Sequence, residues 1–336
     1  LSLQAPRALA LGRLLTLLSY GGAVNMEYER LYETMISGPI GGLIGAQFIG
    51  EKLGIPNIVT ADMGGTSFDV GLIVEGRLGI TKSADIAGHR LALQMVELDS
   101  VGSGAGSVVW VDEYKRLHVG PDSAGAKVGV CLNFDRLTVT DINVVMGYVD
   151  PDYFLGGQVK LDREKAMAAL EEAVAKPLGL SVYEAGAGVL DIVNTQMNDL
   201  LRTMIAAKGY DTRDFTLLYY GGAGPVHMYG YAEGIEFADV ITMPWAAGFS
   251  AFGAACAEYM HRYSRGLRVL IPNQMGDEER TAVAQQIRAA WAGLEADARA
   301  EMQQEGVDPA RVSFRYGVAA RYIGQLESFD TALENG

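Results

Sequence analysis

Cysteine is almost absent from this sequence of 336 residues, which has only Cys131 and Cys256. A disulfide scaffold is therefore excluded, and a reducing cytoplasm is the expected setting. Neither cysteine has a second cysteine at metal-ligand spacing, and no pair among the four histidines has the spacing of a zinc site. The composition thus gives no indication of a structural zinc centre.

Basic residues are also few, and the formal net charge is −14. Nucleic acids and anionic membranes both attract basic surfaces, so this balance disfavours a nucleic-acid partner and adsorption to a membrane. The longest uncharged run, residues 240–257, contains Pro244, Gly248 and Gly253. It predicts a buried strand, a loop and a helix, not a membrane span.

The length of the chain favours two domains. After Gly266 the pattern changes, because residues 267–271 predict a strand, residues 277–305 a long charged helix and residues 312–322 another strand. We therefore predict one domain over residues 1–265 and a separate, partial α+β domain over residues 266–336. The chain opens in Leu1-Ser2-Leu3 without a methionine, so we expect a fragment of a longer protein.

One segment combines an acid, two glycines and two hydroxyls, and it reads Thr60-Ala61-Asp62-Met63-Gly64-Gly65-Thr66-Ser67-Phe68-Asp69-Val70. It lies between two apolar stretches that predict the strands of a β-hairpin. Glycine lets backbone N–H groups approach an anion, and a carboxylate beside a phosphate requires a divalent cation between them. The segment is either a phosphate loop for a Mg²⁺-nucleotide or a tight turn of small residues, and taken alone it favours neither.

A second glycine-rich segment, Gly221-Gly222-Ala223-Gly224-Pro225-Val226-His227, follows a predicted buried strand over residues 215–220. A helix to about residue 234 and a strand over residues 239–243 come next. This order predicts a βαβ unit, in which ligands bind at the carboxyl ends of the strands.

The remaining elements follow from periodicity and end signals. We predict helices over residues 43–53, from Thr140-Asp141 to residue 146, over residues 162–175 and over residues 183–207. Ser37 or a neighbour is the expected cap of the first, and its glycine-rich start serves either an anion or close packing. Short strands fill residues 70–119. The glycine-rich loop over residues 101–107 is either a mobile loop near a cleft or a plain bend.

Taken in order, these motifs resemble the hydantoinase A and 5-oxoprolinase family of the actin, Hsp70 and sugar-kinase superfamily. The resemblance is carried by Ser37-Gly38-Pro39-Ile40-Gly41-Gly42, residues 62–70, 101–107 and 221–227, Val119-Gly120-Pro121-Asp122-Ser123-Ala124-Gly125-Ala126, Val139-Thr140-Asp141-Ile142-Asn143 and Asp150-Pro151-Asp152-Tyr153-Phe154-Leu155-Gly156-Gly157. It implies an α/β, ribonuclease H-like ATPase lobe with a partial α+β C-terminal domain. It also implies ATP with Mg²⁺ or Mn²⁺ as cofactors.

The resemblance assigns roles to residues in both glycine loops. Asp62 would hold the metal and, with Thr66, act in catalysis, while Gly64, Gly65, Thr66 and Ser67 would bind phosphate and Gly221, Gly222 and Gly224 would pass under the adenosine. Asp69 would brace the loop by hydrogen bonds. His227 matches a family position, and a capping, core or catalytic role remains open for it.

Two enzyme chemistries are implied, and both belong to hetero-oligomers with a partner subunit of the hydantoinase B type. An acetone or acetophenone carboxylase subunit would use ATP to activate a ketone and bicarbonate, and a hydantoinase or 5-oxoprolinase would hydrolyse a cyclic amide. Phe68 and the tail over residues 321–330 favour the acetone carboxylase branch. A non-catalytic actin-like scaffold is a third alternative, which the retained Asp62 and glycine loops disfavour.

The chain departs from the family pattern in two places. The family's first acid-glycine-glycine-threonine loop, expected near the native N-terminus, is absent, so we expect this chain to lack the N-terminal lobe and to bind nucleotide poorly alone. After Ala126 the chain reads Lys127-Val128-Gly129-Val130-Cys131-Leu132-Asn133-Phe134 where the family has a proline-glycine-proline and a cysteine-tyrosine stretch. This second departure leaves the substrate open.

Overall fold

The computed structural model of the chain describes residues 14–81, 84–86, 89–91, 93–325 and 328–333. They fall into two compact units, the first from Leu14 to Tyr259 and the second from Met260 onward. The opening residues 1–3, and residues 326–327 of the tail named above, lie outside the described residues.

The first unit is a mixed α/β structure. Its strands are β1 (Leu15–Leu17), β2 (Ala23–Asn25), β3 (Ile58–Met63), β4 (Phe68–Val74), β5 (Arg77–Leu78), β6 (Ile80–Thr81), β7 (Ala84–Ile86), β8 (His89–Leu91), β9 (Met95–Val96), β10 (Leu98–Val101), β11 (Ser107–Val111), β12 (Leu117–Ser123), β13 (Thr216–Tyr220) and β14 (Asp239–Ile241). Its helices are α1 (Ser37–Leu53), α2 (Val139–Met146), α3 (Arg163–Leu170), α4 (Lys176–Leu178), α5 (Val182–Ala207), α6 (Gly224–Tyr231) and α7 (Phe249–Ala255). Short 3₁₀ turns cover Leu31–Thr34, Thr212–Asp214 and Ala246–Gly248, and Glu171–Ala175 forms a π turn.

The central sheet has the strand order β10-β4-β3-β13-β14, with β5 added to β4. Strand β4 is antiparallel to both β10 and β3, whereas β13 runs parallel to both β3 and β14. The predicted hairpin at residues 60–70 and the predicted βαβ unit are therefore confirmed. Together they form the predicted α/β lobe.

Side chains alternate across the sheet because successive residues of a strand point to opposite faces. On β3, Val59, Ala61 and Met63 join the larger hydrophobic core, which includes residues of α2, α3, α5 and α6. Ile58 points to the other face and packs in a second cluster with Ala46 of α1 and Phe249 of α7. Helices α1 and α7 therefore cover one face of the sheet, and the remaining helices cover the other.

The helix boundaries refine two predictions. Helix α1 begins at Ser37, and its N-cap position is Ile36, which makes no side-chain cap bond. Helix α2 begins at Val139, one residue after its N-cap Thr138, and not at Thr140-Asp141 as the sequence predicted. The Thr138 side chain accepts from the Asp141 N–H in a capping box. Asp141 is thus the third helical residue, where its carboxylate completes the cap.

The second unit contains the predicted long helix, α8 (Asp277–Gln304), and a hairpin of β15 (Tyr316–Ala320) and β16 (Phe329–Leu333). A 3₁₀ turn covers Pro309–Arg311. The strand predicted over residues 267–271 is wrong, since that segment has no regular structure. Within the described part of the chain, no strand pairs with this segment. None of the helices in the described part of the chain has the length and hydrophobicity of a membrane span.

Candidate functional site

The β3–β4 turn exposes backbone N–H groups. The Gly64 N–H donates to the Ser67 carbonyl at 3.1 Å, which closes the turn. Gly65 and Thr66 are exposed, and no acceptor within the described residues bonds to their N–H groups. Unpaired N–H groups on an exposed glycine turn are suited to receive the oxygens of an anion.

The glycine loop after β13 lies beside this turn, because residues 58–62 of β3 pair in parallel with the whole of β13. The Ala223 N–H donates to the Met63 carbonyl at 3.0 Å, and the Gly221 N–H donates to the Ala246 carbonyl at 3.0 Å. Gly221 has φ +89°, and a Cβ there would overlap the Asp62 Oδ1 atom. Only glycine satisfies both the backbone angle and the close approach.

Asp62 is the carboxyl group between the two loops. Its Oδ2 atom accepts a hydrogen bond from Ser250 Oγ at 3.1 Å. Burial raises the pKa of Asp62 from 3.8 to about 6, and the nearby charge of Asp69 adds to this, while the Ser250 bond opposes it. Within the described residues, Asp62 forms no ion pair with a lysine, arginine or histidine.

This setting fits a divalent cation. Magnesium and manganese take carboxylate oxygens as ligands, and a mostly buried carboxyl without a cationic side chain lacks the partner that buried charges need. Asp62 is the residue that could hold such an ion, and the exposed N–H groups of Gly65 and Thr66 could receive an anion beside it.

Asp69 lies opposite Asp62 in the β3–β4 ladder. It is only 8% exposed, and its carboxylate accepts from Ser67 Oγ at 2.8 Å and from Ser100 Oγ. Burial raises the pKa of Asp69, whereas the two serine bonds lower it. Asp69 therefore braces the turn, and because the Ser67 hydroxyl donates its proton to Asp69, the Ser67 N–H is the group of this residue left to donate to an anion.

Two further segments, the 101–107 loop and the end of β12, contact the β3–β4 turn. In the 101–107 loop, the Ala105 N–H donates to the Gly64 carbonyl at 3.0 Å and the Gly106 N–H to the Gly65 carbonyl at 2.6 Å. The end of β12 adds Ser123, whose Oγ lies 3.5 Å from Thr66 Oγ1. Of the two readings of the 101–107 loop, the one that puts it near the cleft agrees with these contacts.

His227 lies in the interior, and it is 3% exposed. Its Nε2 atom is 2.9 Å from Asn143 Nδ2 and its Nδ1 atom is 3.0 Å from Asn194 Oδ1. Burial lowers the pKa of His227 to about 4, so the ring is neutral at pH 7, donating from Nδ1 and accepting at Nε2. Both ring nitrogens are used by asparagine side chains, which favours the core role among those left open.

The structure places the 64–67 turn and the 221–224 loop side by side at the ends of β3 and β13, and the Gly221 backbone closely approaches Asp62. It also adds Ser250, Ser100 and Ser123, which carried no role in the sequence-based interpretation. Ser250 is 188 residues from Asp62 in sequence, and it lies in an apolar helical stretch with no motif of its own. Only the resemblance of residues 119–126 to the family pattern pointed toward the segment that contains Ser123.

These features define an α/β protein with a candidate anion and cation site at the carboxyl ends of two parallel strands. The sequence model of the hydantoinase/oxoprolinase family matches residues 4–263, and that of the hydantoinase/oxoprolinase C-terminal domain matches residues 274–335. The chain therefore belongs to the hydantoinase/oxoprolinase family.

Individual relatives agree with this assignment. The chain is 44% identical over 316 residues to the acetone carboxylase beta subunit of Xanthobacter autotrophicus, a match that covers 93% of this chain and 44% of the relative. A nucleotide-free structure of acetone carboxylase superimposes with a TM-score of 0.83 at 43% identity, over 95% of this chain and 46% of that one. The ATP-dependent caprolactamase of Pseudomonas jessenii gives a TM-score of 0.72 at 30% identity, over 94% and 46%. The chain thus spans less than half the length of these relatives.

Proposed function

We propose that the 64–67 turn and the 221–224 loop form half of an ATP site, with a divalent cation at Asp62. The observation that carries the proposal is the position of this mostly buried carboxyl, which has no cationic side-chain partner in the described residues, beside a turn with exposed N–H groups. An anion alone would be repelled by Asp62, whereas a nucleotide bound with Mg²⁺ or Mn²⁺ supplies both charges.

Each loop has a separate task in this proposal. The N–H groups of Gly64, Gly65, Thr66 and Ser67 surround the place for phosphate, although that of Gly64 also closes the turn. The Thr66 hydroxyl is exposed at the same place. Gly221, Gly222 and Gly224 allow the backbone to pass under the adenosine. A cation held by Asp62 would offset the negative charge of the phosphates.

For the whole protein, we propose a subunit of an ATP-dependent enzyme that activates a small carbonyl substrate by phosphoryl transfer. The similarity to acetone carboxylase in sequence and structure supports a carboxylase with a ketone and bicarbonate as substrates. A partner subunit of the hydantoinase B type would complete a hetero-oligomer. Residues 1–265 would carry the ATP site, and residues 266–336 would form a separate α+β domain.

A cyclic amide is the second candidate substrate. The match to caprolactamase, with a TM-score of 0.72, favours it specifically. In that reaction, ATP would activate the cyclic amide for hydrolysis, and the same cation and backbone N–H groups would bind the ATP. The two candidates therefore differ in the acceptor and not in the ATP site.

The test uses the full-length protein that contains this chain, purified with its partner subunit. ATP hydrolysis is measured with acetone plus bicarbonate, hydantoin, 5-oxoproline or caprolactam. Stimulation by acetone only with bicarbonate supports the carboxylase, and stimulation by one of the cyclic amides supports the amidohydrolase. ATP turnover that none of them changes would favour the scaffold.

A variant tests the ATP site itself. We expect Asp62→Ala to abolish substrate-stimulated ATP hydrolysis while the protein remains folded, because the cation loses its carboxylate. Asp214→Ala is the matched control, since Asp214 is exposed and precedes β13, whereas the second glycine loop follows the opposite end of that strand. Unchanged turnover in Asp62→Ala would remove the metal assignment.

A further inference from the structure

Ser250 is the donor that the structure gives to the Asp62 side chain, and the two residues belong to different elements of the fold. Asp62 is the second-last residue of β3, and Ser250 is in helix α7. Their hydrogen bond, 3.1 Å from Ser250 Oγ to Asp62 Oδ2, is partly buried. The other carboxylate oxygen, Oδ1, faces the backbone of Gly221.

The place of Ser250 is fixed by the packing of α7 on α1. A Cβ at Gly253 would overlap the backbone of Gly41, and a Cβ at Gly41 would lie 2.5 Å from the Ser250 carbonyl oxygen. Contact through glycines brings the two helix backbones together without intervening side chains. Ser250 therefore has little freedom to move away from Asp62 unless α7 also moves away from α1.

Helix α1 in turn is fixed against the strand that leads to the second glycine loop. A Cβ at Gly42 would overlap the ring of Tyr220, which is 1% exposed. Tyr220 immediately precedes Gly221, whose backbone lies against the Asp62 Oδ1 atom and restricts its position. The same set of close contacts thus locates both oxygens of the carboxylate.

We infer that Ser250 is a positioning residue for the Asp62 carboxylate, and that through it the α1–α7 contact sets the geometry of the cation site. This inference rests on the proposed function, since it needs Asp62 to be a cation ligand. Groups that bond to a ligating carboxylate orient it, and their loss weakens metal affinity by about 10- to 100-fold. Ser250 does not touch substrate or nucleotide in this assignment.

The test measures metal binding directly, in the full-length protein with its partner subunit. Free Mn²⁺ is measured by electron paramagnetic resonance with ADP at saturation, and ADP affinity is measured separately in EDTA. We expect Ser250→Ala to weaken Mn²⁺ binding about tenfold or more while ADP affinity in EDTA stays unchanged. Ser250→Thr retains the hydroxyl and should restore Mn²⁺ affinity.

Two controls separate the possible failures. Ala251→Ser changes an exposed residue of the same helix and should leave both affinities unchanged. Asp62→Asn should lose Mn²⁺ binding, and if it does not, the proposed cation site itself fails. If Asp62→Asn loses Mn²⁺ but Ser250→Ala binds it like the wild type, only the positioning role is overturned. Equal loss of Mn²⁺ and metal-free ADP in both Ser250 variants would also overturn it, because Ser250 would then support the fold alone.

Discussion

Replacement of Asp62 by asparagine should stabilise the protein in the absence of metal, although it removes a proposed ligand. Asparagine keeps an oxygen that can accept from Ser250, and it carries no charge. The wild-type carboxylate is instead ionised above pH 6 in a mostly buried place beside Asp69. A buried carboxylate that lacks its cation lowers the free energy of unfolding, because burying an unpaired charge is unfavourable.

The size and pH window follow from linkage. The pKa of Asp62 rises from 3.8 to about 6 on folding, so the folded protein holds this proton more tightly than the unfolded chain does. Its contribution is most favourable below pH 4 and is lost as the pH rises through 6. A difference of about two pKa units corresponds to about 3 kcal/mol at pH 8, which is an upper limit for the gain in the variant.

Thermal unfolding of the full-length protein in EDTA at pH 4, 6 and 8 measures the effect. A gain of 3 kcal/mol corresponds to a Tm increase of roughly 6–12 °C for a domain of this size. We expect Asp62→Asn to exceed the wild type at pH 8 and to match it at pH 4, with Asp214→Asn unchanged throughout. With Mg²⁺ and ADP the Tm difference between Asp62→Asn and the wild type should become smaller or change sign, because only the wild type is stabilised by binding the cation.

Either of two results would refute a cost of the buried charge: an Asp62→Asn variant that is no more stable than the wild type at pH 8, or one that keeps the same advantage at pH 4. The first result would mean that the carboxylate has a favourable partner in the folded protein. The second would mean that the effect comes from packing and not from charge.

Three further substitutions probe residues around the site. Asp141→Ala should destabilise the protein by about 3 kcal/mol or more in chemical unfolding, with exposed Asp135→Ala as a neutral control, because the buried carboxylate accepts from the N–H groups of Val130, Cys131 and Thr138. Gly221→Ala should lower the Tm because of its positive φ and the overlap with Asp62, whereas Gly222→Ala should not, since a Cβ there meets open space. The wild type loses stability as the pH falls from 6.5 to 4, because the unfolded chain takes up a proton that the buried His227 resists in the folded protein. His227→Gln should make this loss of stability smaller, and an unchanged pH profile would contradict the burial of His227 as a neutral ring.

Local signals were sufficient for much of the fold. The β3–β4 hairpin, β13, α5 and α8 were predicted because each has a clear period and a turn or cap at its ends. The strand predicted over residues 267–271 is wrong because a strand requires pairing with a second strand, which does not occur for this segment among the described residues and which an apolar segment does not itself reveal. The start of α2 was misplaced because Thr138, Thr140 and Asp141 are all cap-forming residue types, and only the Thr138 side chain meets the Asp141 N–H.

The site was less accessible to sequence than the fold, since its contacts join distant segments. The two glycine loops were recognisable from their composition, but the hydroxyl that meets Asp62 comes from Ser250, 188 residues away. Ser100 was equally hidden, because its contact with Asp69 depends on the pairing of β10 with β4. Such contacts follow from strand order and register, which a single sequence does not specify.

The register of β3 explains why Asp62 meets α7 and not the larger core. Val59, Ala61 and Met63 point to the core side, so Asp62, one residue out of phase, shares the face of Ile58 and of helices α1 and α7. A shift of one residue in the pairing of β3 would exchange the two faces, burying the carboxylate among α2 and α5 and exposing Met63 to the glycine loops. The alternation of apolar residues along β3 therefore specifies the fold and the position of the proposed cation ligand together, and a deletion within residues 58–61 should destroy the site even where the remaining strand still pairs.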